Sequence, residues 1–401
     1  MTAPSEGEGA GRQAGGSPSP PLVVGRVAIV QQAVFHYRER FFELLRERLE
    51  ADGIELVLVH SNDPVTEDVW ESVVELPWSH RVPLRRFRVG RRELLWQQCR
   101  DLLRGCDLVI VEQGSRHLLN YVLLAEQLIG RRKVALWGHG RNLKTDEASR
   151  LGEALKARWS RRVHWWFAYN QRTAEIVADL GFPDERITVL NNAIDTHQLR
   201  DEVAAVSAGD LDRTRRELGL RGGRIALYMG GWSPAKGLDQ LFAASDLVRA
   251  EVVDFELVVA GAGPEEPKVR GFAATRPWVH VVGTRRGEDK ARLLAAVDLL
   301  LVPAAAGLVV LDSFAAGVPI VVGAGRGHGP EVAYLEHGVN GWIVDDGVDP
   351  ERYGHAIAAL LTDDTRRMEL RDGCLRSAER YSVEDMVDRF VSGVARAREA
   401  L

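Results

Sequence analysis

The chain predicts an α/β protein of two parallel-sheet domains, and three observations carry that prediction. Its 401 residues exceed what one core of ordinary size fills. Short apolar runs suited to strands buried on both faces alternate with amphipathic stretches, in the order that parallel sheets with crossover helices require. The alternation occurs twice, separated by a charged stretch poor in large apolar residues, roughly Leu199 to Gly223. The expected layout is a tail over 1–21, a first Rossmann-like domain over 22–200 and a linker with a short helix over 201–222. A second such domain over 223–380 and a closing helix over 381–401 complete it.

Strand candidates of the first half are 26–31 (RVAIVQ), 54–60 (IELVLVH), 107–112 (DLVIVE), 133–138 (KVALWG), 165–169 (WWFAY) and 187–191 (ITVLN), with helices between them. The second half repeats the pattern at 224–230 (RIALYMG), 255–261 (FELVVAG), 279–283 (VHVVG), 299–303 (LLLVP), 319–323 (PIVVG) and 341–345 (GWIVD). From Ser382 onward, Val383, Met386, Val387, Phe390 and Val394 fall at helical spacing. Open sheets of this kind bind ligands outside the carboxyl ends of their strands.

Composition narrows the function. Apolar content of 45% and charged content of 27% describe a soluble globular chain. A net charge of −5 exerts no global pull on nucleic acid, so anion binding must be local. Cys99, Cys106 and Cys374 have neither paired metal-site spacing nor a disulfide framework, which fits a reducing cytoplasm. Met1 to Pro21, rich in Gly, Ser and Pro, reads as a disordered tail rather than a signal peptide, and no run of eighteen apolar residues occurs. Six of the 52 basic residues are lysine, so clusters of arginine carry little weight while a placed lysine carries more.

Three motifs in the second half point to a phosphorylated sugar carrier. In 299–346 a strand is followed by a turn, Pro303 to Ala306, and by Gly307, which admits close approach of a ligand. The helix after it would offer unpaired N–H groups and a partial positive charge. Asp312, about one and a half turns in, is placed to accept hydrogen bonds from a diol such as ribose. In YMGGWSPAKGLDQLFAA, Gly230 and Gly231 end a strand and Lys236 with Gly237 opens a helix, a layout suited to a diphosphate. VVAGAGPEEP, with Gly261 and Gly263 after a strand, is weak alone and gains its meaning from order.

These motifs resemble those of the family 4, group 1 glycosyltransferases, retaining enzymes of the GT-B type, over about residues 25–400. There a Glu, seven residues and a second Glu bracket the glycine turn; here the first place is held by Ala304 and the second by the shorter Asp312. The family's Gly-Arg then Lys-Gly signature has Gly231 where Arg is usual, while Lys236 falls on the phosphate-binding lysine. The resemblance implies a donor site at Gly230, Gly231, Lys236, Gly263, Ala306, Gly307, Leu308 and Asp312, with Arg285, Arg286 or Arg326 to supply the missing cation. It also implies that the closing helix crosses back to the first domain, that His139 lies close to the transferring sugar, and that Lys236 and His139 are the catalytic pair. The diphosphate would be neutralised by protein groups, so no metal and no cofactor are expected. The acceptor, a small molecule or glycan, would meet His36, Tyr37, Arg38 and Glu112 at strand ends of the first half.

The expected activity is transfer of a sugar from a nucleoside diphosphate to a hydroxyl, with retention implied by the resemblance. Two alternatives stay open: a catalytically inactive sugar-nucleotide-binding partner, and an epimerase or non-glycosidic coupling enzyme on the same fold. Residues 85–104, with seven arginines against Glu93 and Asp101, read as a solvated helix face, with peripheral membrane contact at the inner face as the other reading. Asp210-Leu211-Asp212 mimics a metal-binding pair but is better explained by helix capping. Trp165 and Trp166 read as core. Glu331, after Pro330, reads as a structural cap, and Asn191 to Asp195 as a hinge turn or an Asx-rich cap.

Overall fold

The computed structural model describes residues 25–63, 73–90, 92–140, 160–325, 327–345 and 349–400. The expected tail and Arg326 lie outside these. Fifteen strands are described, β1 (Gly25–Gln31), β2 (Ile54–His60), β3 (His80–Arg81), β4 (Leu84–Val89), β5 (Arg92–Gln97), β6 (Leu108–Glu112), β7 (Lys133–Gly138), β8 (Trp165–Ala168), β9 (Ile187–Val189), β10 (Arg224–Met229), β11 (Phe255–Ala260), β12 (Val279–Gly283), β13 (Leu299–Val302), β14 (Ile320–Gly323) and β15 (Trp342–Val344). The helices are α1 (Glu39–Ala51), α2 (Leu118–Leu128), α3 (Gln171–Asp179), α4 (Thr196–Ala204), α5 (Ala208–Leu218), α6 (Leu238–Glu251), α7 (Glu266–Ala274), α8 (Gly287–Ala295), α9 (Val309–Ala316), α10 (Pro350–Thr362), α11 (Asp364–Arg380) and α12 (Val383–Glu399).

The first sheet runs β3-β2-β1-β6-β7-β8-β9 and the second β12-β11-β10-β13-β14-β15. Every pairing within them is parallel. The central strands are buried on both faces, as their unbroken Val, Ile and Leu runs require: Val27 to Ile29, Leu108 to Ile110 and Leu299 to Leu301 are fully enclosed. Strand order reverses between β1 and β6 in one sheet and between β10 and β13 in the other. At such a switch point the flanking loops diverge and leave a crevice at the strands' carboxyl ends. The loops that carry the sequence motifs, after β1, β6, β10 and β13, are the loops at those crevices.

α12 crosses back as expected. Its Val383, Met386, Val387, Phe390, Val394 and Ala397 belong to the core of the first domain, and Phe390 stacks on Phe167 of β8 with ring centres 4.5 Å apart. Gly393 permits the approach, since a Cβ there would come within 2.6 Å of both Phe167 and Thr188. Full burial of each large apolar side chain contributes about 1.5–3 kcal/mol, so this helix is a principal part of that core. Lys133 Nζ ties its end by donating to the Arg398 carbonyl at 2.7 Å.

Two expectations are corrected. The stretch 201–222 is no loose linker with one short helix: α4, capped by Asp195, and α5, capped by Ser207, pack on the second domain, whose core takes in Leu199 and Leu220. Asp210 completes the Ser207 capping box, and Gly219, at φ 72°, ends α5. The arginine-rich stretch is not a helix face. Its first part is an antiparallel hairpin, β4 with β5, standing apart from both large sheets. Among the described residues no helix is long and apolar enough to cross a membrane.

Candidate active site

On the second domain, β10 runs into Gly230 and Gly231, and a single 3-10 turn, Pro234–Lys236, then leads through Gly237 at φ 68° into α6. The turn carries Lys236 across the switch point, where Nζ donates to the Ala305 carbonyl at 2.6 Å. Ala305 lies just after β13 with φ 47°, a left-handed conformation that costs a non-glycine residue about 1–3 kcal/mol. Ala304 faces the same place: a Cβ added to Gly237 would lie 3.2 Å from the Ala304 Cβ. The lysine motif and the position of the family's first acidic residue are thus in contact, with a methyl group in place of the carboxylate.

The next residue, Ala306, is held by a histidine, His328. The Ala306 N–H donates to His328 Nδ1 at 3.1 Å, and His328 Nε2 lies 3.0 Å from the Gly323 carbonyl, which it can reach only as a donor. Both bonds require the neutral ring. Burial and the nearby Lys236 charge hold the His328 pKa below the ordinary 6.5. Gly329 N–H donates back to the Ala306 carbonyl at 2.6 Å. No side chain caps α9 at Leu308, and the Val310 and Leu311 N–H donate to the Gly307 and Leu308 carbonyls at 3.0 and 2.9 Å, so an anion at this helix start would meet the amides that precede Val310.

Asp312 is 8% exposed on α9, and Lys290 Nζ of α8 donates to its Oδ1 at 2.6 Å. The expected diol acceptor therefore has one oxygen already engaged and Oδ2 left to serve. Nothing in the sequence marks Lys290, because its partner is 22 residues away and no motif surrounds it. Gly263 has a packing reason to be glycine: at φ 151°, a Cβ would fall 2.5 Å from the Trp232 carbonyl. Gly231 differs, since a Cβ there meets nothing nearer than the Ala262 carbonyl at 4.0 Å, so the place the family fills with Arg is open. Arg285 lies half-buried in the loop after edge strand β12, two strands from the switch point.

On the first domain, His36, Tyr37 and Arg38 form a 3-10 turn after β1. His36 is exposed, and Tyr37 packs partly against the core of the second domain. Arg38, expected at the acceptor, is 6% exposed: it lies among the rings of Tyr37, Phe41, Trp137 and Tyr169 and donates to Asn192 Oδ1. This places Arg38 beneath the rim rather than on it. His139 follows β7 and stacks on Tyr169 with ring centres 4.1 Å apart. Glu112 ends β6, where Oε2 accepts from the Gln32 N–H at 2.9 Å, and loss of hydration pushes its pKa up to about 7. A cavity of about 530 Å³ lined by Ser61, Asn62, Asp63, Arg81 and Leu84 opens farther along this rim, away from the donor loops.

The two rims are joined by Glu331, expected as a structural cap. It is 4% exposed, and its Oε1 accepts from Asn192 Nδ2 at 2.6 Å. Its Oε2 lies 3.8 Å from where a Gly307 Cβ would stand. Tyr334 donates to the Asn192 carbonyl at 3.2 Å, and Asn170 Nδ2 to that of Pro330 at 2.5 Å. A continuous path of contacts therefore runs from Gly307 through Glu331, Asn192 and Arg38 to Tyr169 and His139. Of Asn191 to Asp195, Asn192 lies in this joint and Asp195 caps α4.

Similarity to known proteins agrees on both halves. The family model described as Glycosyltransferase Family 4 matches residues 39–198, and that described as Glycosyl transferases group 1 matches 223–363. A D-inositol 3-phosphate glycosyltransferase of Thermobispora bispora is 30% identical over 217 residues, 50% of this chain and 48% of that one. One from Catenulispora acidiphila is 30% identical over 238 residues, 55% and 54%. The chain thus spans about half the length of the curated relatives it matches. Among solved structures, Anabaena HepE in complex with UDP and glucose superposes with a TM-score of 0.62 at 16% identity, covering 92% of this chain and 99% of that one. Sucrose-phosphate synthase from Thermosynechococcus elongatus does so with a TM-score of 0.66 at 15%, covering 93% and 98%. With the two models matching in the family's order and two Rossmann-like sheets meeting at a joint, the chain belongs to the family 4, group 1 glycosyltransferases of the GT-B fold.

Proposed function

We propose that this protein transfers a sugar from a nucleoside-diphosphate donor to a hydroxyl acceptor, with retention at the anomeric carbon. The observation that carries the proposal is Lys236: its ammonium lies at the β10–β13 switch point, on the loop that leads into the uncapped start of α9. Departure of a nucleoside diphosphate concentrates negative charge on that group and leaves positive character on the sugar, so a fixed cation beside helix amides stabilises the leaving group as it forms. The Lys236–Ala305 bond must open or be shared for the ammonium to meet the phosphates. Asp312 Oδ2 and Lys290 together offer a ribose hydroxyl both an acceptor and a donor. His139, steadied by Tyr169, is assigned to the transferring sugar, and His36, Tyr37 and Glu112 to the acceptor. A uridine nucleotide is the first donor to test, since HepE of the same fold was crystallised with UDP and glucose. No metal or cofactor is proposed.

The test is transfer and hydrolysis of labelled nucleotide sugars by the wild type and by Lys236→Ala. Turnover in the wild type that falls about 10²-fold in the variant supports the proposal; equal rates in both would remove Lys236 from the chemistry. A second reading, a sugar-nucleotide-binding partner without turnover, is favoured by one observation, the absence of two polar donor contacts at Gly231 and Ala304. Saturable binding with no product over days would decide for it.

A further inference from the structure

The β4–β5 hairpin is the feature of the fold that the proposed chemistry leaves unused. Its two faces differ. In the pairing register, Leu84, Arg86 and Arg88 lie opposite Gln97, Leu95 and Glu93, while Arg85 and Phe87 lie opposite Trp96 and Leu94, with Val89 next in line. The first face is anchored. Leu95 and Gln97 are buried, Gln97 Nε2 donates to the Gln31 carbonyl at 2.8 Å and to Ser61 Oγ at 3.0 Å, and the Leu95 N–H donates to the Arg116 carbonyl at 2.8 Å. These bonds fix the hairpin to the carboxyl-end rim of the first sheet. The second face is open toward the turn, with Phe87 45% and Val89 63% exposed and Leu94 half-buried beside them, while Trp96 at its base packs against the core of the first domain.

We infer that this outward face docks on an anionic lipid surface. Charge favours that occupant: residues 84–97 hold five arginines and one acid, Glu93. Glu93 is spent, with Asp63, on Arg86 at 3.0 and 2.6 Å. Arg85 on that face, and Arg88 on the opposite face beside its edge, make no ion pair with any described residue, and both are exposed. An aromatic and aliphatic face edged by arginines combines the two terms of interfacial binding, burial of apolar area and attraction to anionic headgroups. A second copy fits less well, because a two-fold contact would set these cations against their own copies. A soluble polyanion would use the arginines and leave Phe87 and Val89 in water. The docking claim is independent of the transfer reading. Its corollary, that acceptors are drawn from the lipid surface to the rim beside Glu112, rests on that reading.

The experiment is co-sedimentation of the full chain with vesicles of phosphatidylglycerol and phosphatidylcholine, against phosphatidylcholine alone, at low and high salt. Wild-type protein is expected on the anionic vesicles only, and less of it at high salt. Phe87→Ser with Val89→Ser, and separately Arg85→Glu with Arg88→Glu, should each weaken binding about ten-fold or more while leaving the thermal midpoint unchanged. Three results would overturn the inference: no binding to anionic vesicles, binding untouched by the apolar pair of substitutions, or a dimer in solution that those substitutions dissociate. Failure of donor turnover with intact vesicle binding would instead count against the transfer reading alone.

Discussion

At the switch point of the second sheet the walls are mostly backbone, whereas at that of the first they are side chains drawn from distant segments. The second-domain side is a carbonyl held by Lys236, an amide held by His328, and glycine turns pressed closely together. The first-domain side is a histidine stacked on Tyr169, a carboxyl on the Gln32 amide, and, beneath them, an arginine enclosed by four rings. A diphosphate is the same in every donor, so a site made of amides and one ammonium suits it. Acceptors differ, and side chains can be exchanged without disturbing the sheet beneath.

Experiments that break one rim should leave the other intact. The largest expected effect is that of Lys236→Ala, about 10² in turnover, with acceptor KM unchanged in steady-state assays. Next is Lys290→Met, which strands the Asp312 carboxylate; about 1–3 kcal/mol of stability should be lost in urea unfolding, and the double variant with Asp312→Asn should recover most of it. Smaller, and opposite in sign, is Gly231→Arg: the open space accommodates the side chain, and a second cation should tighten donor binding about ten-fold by calorimetry, ~1.4 kcal/mol.

The smallest effects are those of pH, and they separate the rims most cleanly. His328 is held neutral, with a pKa below 6.5, so its bonds to Ala306 and Gly323 are intact above that value. The stability they give is lost as pH falls through the folded pKa. Donor affinity should therefore be flat from pH 7 to 8 and weaken a few-fold toward pH 5, a slope that His328→Gln removes. Glu112 moves the other way. Its pKa is raised to about 7, so the cost of ionising it in place is absent below the ordinary carboxylate range and complete above about 7. Acceptor KM should change around neutrality, and Glu112→Gln should abolish that change. A shared pH profile for both substrates would show that the rims are not separable.

The same contrast explains what the sequence made legible. The strands of both large sheets, save the exposed two-residue edge strand β3, could be read because burial on two faces leaves an unbroken apolar run. The donor loops could be read because glycine is required where backbones touch, as at Gly261, whose Cβ would fall 1.9 Å from the Gly230 carbonyl. Lys290 could not, because its meaning lies in a partner on another helix. Nor could the depth of Arg38, since a guanidinium among aromatic rings has the same sequence as one in solvent. The hairpin is hidden because its arginines mask the two-residue alternation, and 201–222 shows one short helix rather than the two packed helices α4 and α5 because each buries only a narrow stripe.

The return of α12 to the first domain has a consequence for synthesis. Phe41, Trp137 and Phe167 wait for Phe390, more than two hundred residues later in the chain, before their shared cluster is filled. A nascent chain emerging amino end first would thus present an unfinished apolar trough until the ribosome has nearly reached residue 400, whereas the second domain, whose last core residues are Cys374, Ala378 and Tyr381, would be complete shortly before it.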